Sequence, residues 1–434
     1  MRKAFLSLIN SKYLFILTSF IWWLAFYPGF YSGDSFGALN QAKTGPITNV
    51  YTAAWPLTLR VLTLGGRAPG IATLACVLVL SYAVKYFCGA VLPKSSAAIA
   101  ASILLITPLV GAMGITLWHD IPMTAGLLIV VAVSTKTSLF KNSLSRQDLI
   151  HLIFGSLLSS YRPNGFPTLL LYFLLLFIFN WRKDLLKYGA LALAVSLSFS
   201  LITTYSVGQR SLTNSIYAQE WMRSDIACSW STHPESISLK LQEKMKQAAP
   251  LDQWNNSAGC TFLNSLHFTQ SQIDESVKVV PSIWLSLFKS HSIQIGKIHS
   301  QRNAYLIPIP TSRAMHSPFI HSIIEFPNRG VQFAVPTLVE KLRPYVRIWN
   351  ALRPITAFAG LWLAVILGLA IFARRSRQAL LPTLTMSFAL EAILFAVAPI
   401  PDGRYTLLVL IAGQTLTVGF VLDYLFRKRG PLRK

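Results

Sequence analysis

The chain has 434 residues, 53% of them apolar and only 13% charged, with a mean hydropathy of +0.49. Soluble domains carry roughly 25% charged residues, so this balance excludes a soluble enzyme and indicates an all-α polytopic membrane protein. The net charge of +23 would suggest nucleic acid in a soluble chain. Here the basic residues sit in short clusters between apolar runs, which is a topology signal, and no nucleic-acid partner is expected.

In chain order, a basic start (Arg2, Lys3, Lys12) precedes an apolar run over residues 13–27. No small-residue cleavage site follows, so this reads as an uncleaved first span with the N-terminus cytoplasmic. Residues 30–68 form a first external loop that opens with YSGDS and contains Asp34; its spacing suits helices lying in the interface. Asp34 is either a functional acid at the membrane edge or the N-cap of a short helix starting near Ser35. Spans are expected over 69–92 and 96–117, then a polar break, WHDIP, with His119 and Asp120, and a fourth span to about 134. Short runs over 148–160 and 166–180 flank the break YRPNG, with Arg162 and Asn164, and 188–205 crosses again.

Residues 207–350 contain no run long enough to span and have the length of a folded domain. Cys228 and Cys260 both lie there, either as a disulfide, which an oxidising compartment permits, or as two buried thiols. Residues 283–302 space Trp284, Leu287, Phe288, Ile295 and Ile298 on one face, which suits an amphipathic helix on the membrane surface. The chain re-enters near 354, crosses over 380–399, meets the break PDGRY (Asp402, Arg404, Tyr405), and crosses last to about 426. The sum is about ten transmembrane helices, both termini cytoplasmic, with every strongly basic short loop inside and the extracytoplasmic domain between spans seven and eight. The expected units are an N-terminal transmembrane module 1–206, the domain 207–350 and a C-terminal module 351–434.

Four polar breaks thereby share the outer face: Asp34, His119-Asp120, Arg162-Asn164 and Asp402-Arg404-Tyr405. Arginines bind phosphate through forked, charge-assisted hydrogen bonds, and a carboxylate within reach of a hydroxyl takes its proton. Arg162, Arg404 and Tyr405 are therefore candidate donor-phosphate contacts, and His119, Asn164 and Asp402 candidate positioning residues. His291, His299, Arg302, Arg313 and His316 are candidate contacts from the outer domain, and Glu391, an acid inside a span, either bonds a neighbouring helix or reaches the reaction cavity.

This order of features resembles the GT-C integral membrane glycosyltransferases of bacterial type: an acid in the first external loop (YSGDS), a second acid between spans three and four (WHDIP), and a large late extracytoplasmic domain. The resemblance implies a sugar transferred from a polyprenyl-phosphate donor to a glycan or lipid acceptor at the outer face of the cytoplasmic membrane, among membrane lipids. It implies Asp34 as catalytic base and Asp120 as the second catalytic acid, with either no cofactor or a divalent cation (Mg or Mn) held by Asp34, Asp120 and His119. The paired Asp-Glu of protein mannosyltransferases is absent from the first loop. Two other classes fit the sequence: a transporter or flippase of a lipid-linked or anionic solute, which predicts repeats and broken spans, and a glycan polymerase or ligase of another membrane fold.

Overall fold

The structure is a computed structural model that describes residues 14–45, 47, 52–140, 144–180, 183–207, 219–254, 268–306, 333–372, 377–398 and 403–428. Among these, every regular element is helical, apart from an isolated parallel bridge between Phe30 and Thr116.

The N-terminal part runs through α1 (Leu14–Ala25), α2 (Gly33–Thr44), α3 (Ala54–Leu62), α4 (Pro69–Val91), α5 (Lys94–Ile106), α6 (Pro108–Gly114), α7 (Asp120–Phe140), α8 (Arg146–Ser159), α9 (Gly165–Asn180) and α10 (Lys183–Val207). A second group follows, α11 (Glu220–Thr232), α12 (Leu239–Ala248), α13 (Gln270–Ser290) and α14 (Ser292–Arg302). The chain ends with α15 (Pro336–Ala351), α16 (Ala359–Phe372), α17 (Arg377–Val397) and α18 (Leu407–Lys428).

Among the described residues, five helical stretches are long and apolar enough to cross a membrane: Pro69–Val91, Asp120–Ser138, Leu186–Ser206, Leu380–Val397 and Arg404–Leu425. The protein is a multi-pass membrane protein. Leu14–Ala25, Gly165–Phe179 and Ala359–Phe372 are apolar but shorter, and α8, at 14 residues, is shorter than the roughly 20 a perpendicular crossing takes.

The straight third span expected over 96–117 is instead two helices, α5 and α6, bent by 72°. Pro108 supplies no N–H to continue the helix, and the Thr107 side chain takes over capping by accepting from Val110 N. The Ile106 carbonyl released at the break accepts from Trp22 Nε1 at 3.2 Å.

The centre of the bundle is α7, whose apolar stretch is 94% buried inside the protein. It packs against α4 and α8 and lies along α17. Its approach to α8 depends on two facing glycines. A Cβ on Gly126 would stand 2.6 Å from Ser159 N, and one on Gly155 2.9 Å from the Gly126 carbonyl. Small residues at such a crossing let membrane helices come together backbone to backbone.

Helices α11 to α14 enclose a core of their own built on Ile226, Met245, Trp254, Ile273, Val280, Leu287 and Ile295. The single amphipathic helix expected over 283–302 is divided at His291 into α13 and α14. Of the expected face, Leu287 and Ile295 are buried in this core together with Ile283, Ile298 is also buried, Trp284 is half-buried and Phe288 is exposed. By contrast, α15 packs on α1 and α6, and its Val339 and Val346 join the main transmembrane core. Cys228 is buried and disulfide-bonded, while Cys76 and Cys88 are free thiols; Cys260 lies outside the described residues.

Candidate active site

The first and second polar breaks are joined by backbone. Phe30 N donates to the Ile115 carbonyl at 3.0 Å and Leu117 N donates to the Phe30 carbonyl at 3.1 Å. The close approach requires glycine at position 29, which has φ +125° and where a Cβ would sit 2.8 Å from the Ile115 carbonyl. Just beyond this junction each segment begins a helix, and each helix carries its acid in the first turn, Asp34 in α2 and Asp120 in α7. Helix N-termini favour negative charge.

The alternative in which Asp34 caps its helix does not hold. The N-cap is Ser32, whose hydroxyl accepts from Ser35 N, and Ser35 answers by accepting from Ser32 N in a capping box. Ser35 Oγ also donates to the Leu117 carbonyl at 3.0 Å, and Trp118 Nε1 donates to Ser32 Oγ at 2.6 Å. With the backbone served by serines, the Asp34 carboxylate is released for other work.

That work involves the third and fourth breaks. Arg404 Nη1 donates to Asp34 Oδ2 at 2.7 Å, and its Nε stands 4.0 Å from Asp120 Oδ2. Arg162 pairs with the other oxygen of Asp120. Tyr405 separates the two guanidinium groups: its ring lies 3.9 Å from the Arg162 guanidinium carbon, and its hydroxyl accepts from Arg404 Nη2 at 3.4 Å. The Trp118 ring lies 4.8 Å from Arg404 on another side. Two arginines and two carboxylates thus balance in a site where the Asp120 side chain is fully buried and Asp34, at 23% exposure, is the most open member.

Arg162 is delivered by the turn between α8 and α9. Gly165 N closes that turn on the Arg162 carbonyl at 3.0 Å, and Tyr161 is fixed from the first external loop by Thr58 Oγ1 at 2.8 Å and an edge contact with Trp55. His119 is buried, and that burial, followed by the charges of Arg162 and Arg404, holds its imidazole neutral well below the ordinary histidine range. Asn164 is buried in the same turn.

Of the residues expected from the sequence, the structure brings together Asp34, Asp120, Arg162, Arg404 and Tyr405, with His119 and Asn164 beside them. Asp402 lies outside the described residues, as do Arg313 and His316. His299 and Arg302 are not substrate contacts from the outer domain. Both are buried with Asp225, Arg302 Nη1 donating to Asp225 Oδ1 at 2.7 Å and His299 Nδ1 standing 3.0 Å from Oδ2. His299 Nε2 donates to the Phe395 carbonyl near the end of α17 at 2.5 Å, so this cluster joins α11 and α14 to the helix that precedes Arg404. Ser32, Ser35 and Trp118 were missed by sequence reasoning; the adjacency of Trp118 to the WHD acid is the one signal that could have singled it out.

The expected metal set of Asp34, Asp120 and His119 does not fit a divalent cation. Arg404 stands between the two carboxylates, and among the described residues no group of three or more His, Cys, Asp or Glu side chains is placed to hold a metal ion.

No family model and no curated protein matches the chain. Two solved structures are similar to it. One is the Archaeoglobus fulgidus oligosaccharyltransferase complex with zinc and sulfate, at 11% identity and a TM-score of 0.43, covering 96% of this chain and 50% of that one. The other is ArnT from Cupriavidus metallidurans bound to undecaprenyl phosphate, at 14% identity and a TM-score of 0.37, covering 93% of this chain and 77% of that one. Both are membrane glycosyltransferases of the GT-C fold. The chain spans about half the length of the oligosaccharyltransferase.

Proposed function

We propose that the protein is a membrane glycosyltransferase that moves a sugar from a polyprenyl-phosphate donor to a hydroxyl of a glycan or lipid acceptor, at the outer face of the cytoplasmic membrane. The observation that carries this reading is Arg404 placed between two carboxylates on the face where four polar breaks meet, with a second arginine across a tyrosine ring. A guanidinium pair held this way presents positive charge and planar N–H forks to a phosphodiester.

In the reaction, the donor phosphate settles beside Arg162 and draws Arg404 toward itself, and Asp34 exchanges its arginine for the acceptor hydroxyl. The acceptor oxygen attacks the anomeric carbon as the bond from that carbon to the phosphate oxygen breaks. The hydroxyl proton passes to Asp34, and the bonding pair leaves with the polyprenyl phosphate, where the arginines stabilise the added charge. A single displacement of this kind inverts the anomeric centre. Asp120, fully buried, keeps Arg162 in place.

The experiment is transfer from synthetic polyprenyl-phosphate sugars by the purified protein, wild type beside Asp34→Asn. Transfer by the wild type with donor binding but no turnover in the variant supports the reading. No transfer by either, with movement of labelled lipid across vesicles by the wild type, replaces it with a transporter.

A further inference from the structure

Helix α17 carries an acid that none of the chemistry above employs. Glu391 is 4% exposed, and both of its carboxyl oxygens lack a hydrogen-bond partner within the protein. Ser387 and Thr383, one and two turns earlier on the same face, are buried with their hydroxyls likewise unpartnered. So are Thr124 in α7 and both side-chain amide atoms of Asn164.

These groups are neighbours by topology. α17 packs along α7 and α9, and it runs toward the polar face while α7 and α9 run away from it, so its last turns lie beside their first. Glu391 stands six positions before Val397, the last residue of α17, about 9 Å along the axis at 1.5 Å per residue, and Thr124 stands about 6 Å below Asp120 on α7. Asn164 is two positions from Arg162. Glu391, Thr124 and Asn164 therefore lie on the ends of packed helices that converge below the Arg162–Asp120 pair.

A buried donor or acceptor without a partner costs about 1–3 kcal/mol, and a carboxyl more. An apolar side chain of similar size avoids that cost, so a cluster that accepts it is matched to a ligand. The ligand is not the phosphate, which the arginines above already suit. A metal ion is poorly served by one carboxyl among hydroxyls and an amide. What fits acceptors, donors and hydroxyls together is a neutral polyol.

We propose that Glu391, with Thr124 and Asn164, forms the subsite that receives the hydroxyl groups of the transferred sugar and selects among sugars, a proposal that rests on the glycosyltransferase reading above. The carboxyl accepts from ring hydroxyls, and the Asn164 amide both donates and accepts. Sites built to hydrogen-bond a hydroxyl discriminate strongly, because a substrate lacking it leaves them unpaired.

The test measures binding of bare polyprenyl phosphate, and of polyprenyl phosphates carrying glucose, mannose or arabinose, to wild type, Glu391→Gln and Glu391→Leu. Wild type is expected to prefer one sugar over the bare lipid. Glu391→Leu is expected to bind the bare lipid as wild type does but to lose at least about tenfold of that preference, with Glu391→Gln between them. An unchanged sugar profile in Glu391→Leu overturns the proposal. If wild type binds no polyprenyl phosphate at all, the glycosyltransferase reading fails instead. Should the Glu391 variants lose the bare lipid as well, Thr124→Val, which deletes one hydroxyl at nearly constant volume, carries the same measurement, and unaltered discrimination there is equally fatal.

Discussion

Arg404, in the last polar turn of the chain, donates from Nη1 to Oδ2 of Asp34, in the first, at 2.7 Å. In the resting site the proposed base is thus held by the group proposed to bind the donor, and neither is ready until a phosphate arrives. The planar fork and the ring contacts with Trp118 and Tyr405 are properties of a guanidinium that an ammonium does not share. Arg404→Lys is expected to lower turnover by about 10²-fold or more while keeping the charge. Steady-state transfer assays, with binding of bare polyprenyl phosphate measured alongside, check this; wild-type turnover in the lysine variant removes Arg404 from the phosphate.

Asp120 and Arg162 make the buried pair of the site. Removing one member of such a pair leaves the other charged and unpaired, at a cost of about 3–5 kcal/mol. Asp120→Asn and Arg162→Gln should each destabilise strongly, and the double substitution should recover much of the loss. Thermal unfolding in a mild detergent provides the comparison.

His119 supplies a pH dependence whose sign is fixed. Its folded-state pKa is depressed, chiefly by burial and then by Arg162 and Arg404, so below about pH 6.5 the unfolded chain takes a proton that the folded one refuses. Its contribution to stability is complete above that pH and declines as the pH falls, by up to about 1.4 kcal/mol per unit. His119→Gln should flatten the stability profile between pH 6.5 and 5, and an unchanged slope in that variant assigns the dependence to other groups.

The contact between Gly126 and Gly155 sets the position of α8, and α8 leads directly into Arg162. Gly126→Val should push the helices apart at a cost of about 1–3 kcal/mol and weaken binding of lipid phosphate more than its effect on stability explains. Val131→Ala, which removes buried volume deeper in α7, serves as the control that destabilises without moving the turn.

The cluster of Asp225, Arg302 and His299 predicts how helices α11 to α14 are attached to the rest of the protein. Asp225→Asn weakens the buried pairing with Arg302 and frees the imidazole that holds the Phe395 carbonyl. Limited proteolysis should then cut within residues 219–302 faster than in wild type, with the transmembrane bundle still intact on gels. Equal cutting rates contradict a latch at this point.

Much of the site was legible because acids are scarce in this chain, 16 in 434 residues, and loops that alternate in side bring every second polar break to the same surface. Asp34, Asp120, Arg162, Arg404 and Tyr405 stand out on those grounds alone. The pairings were not legible: Asp34 has two arginines available to it, and the choice of Arg404 follows from where the α8–α9 turn is fixed by Thr58 and Trp55. The bend at Thr107 and Pro108 was hidden inside a continuous apolar run, since hydropathy is blind to a missing N–H. Much of the apolar face over 283–302 packs into a helical core, which periodicity does not distinguish from a membrane contact, since it reports that a face is covered without saying by what. Asp225 escaped notice for a similar reason, as one acid in a polar stretch looks solvated until its partners Trp284 from α13 and Arg302 and His299 from α14 are known.

Two backbone hydrogen bonds at Phe30 tie the first polar turn to the second. The approach of the two acid-bearing helices is therefore set by the main chain, at a junction that leaves no room for a side chain at position 29. Residues farther from that junction can be exchanged while the two acid-bearing turns keep their relation, which under the proposed function would let selectivity change without moving the chemical centre.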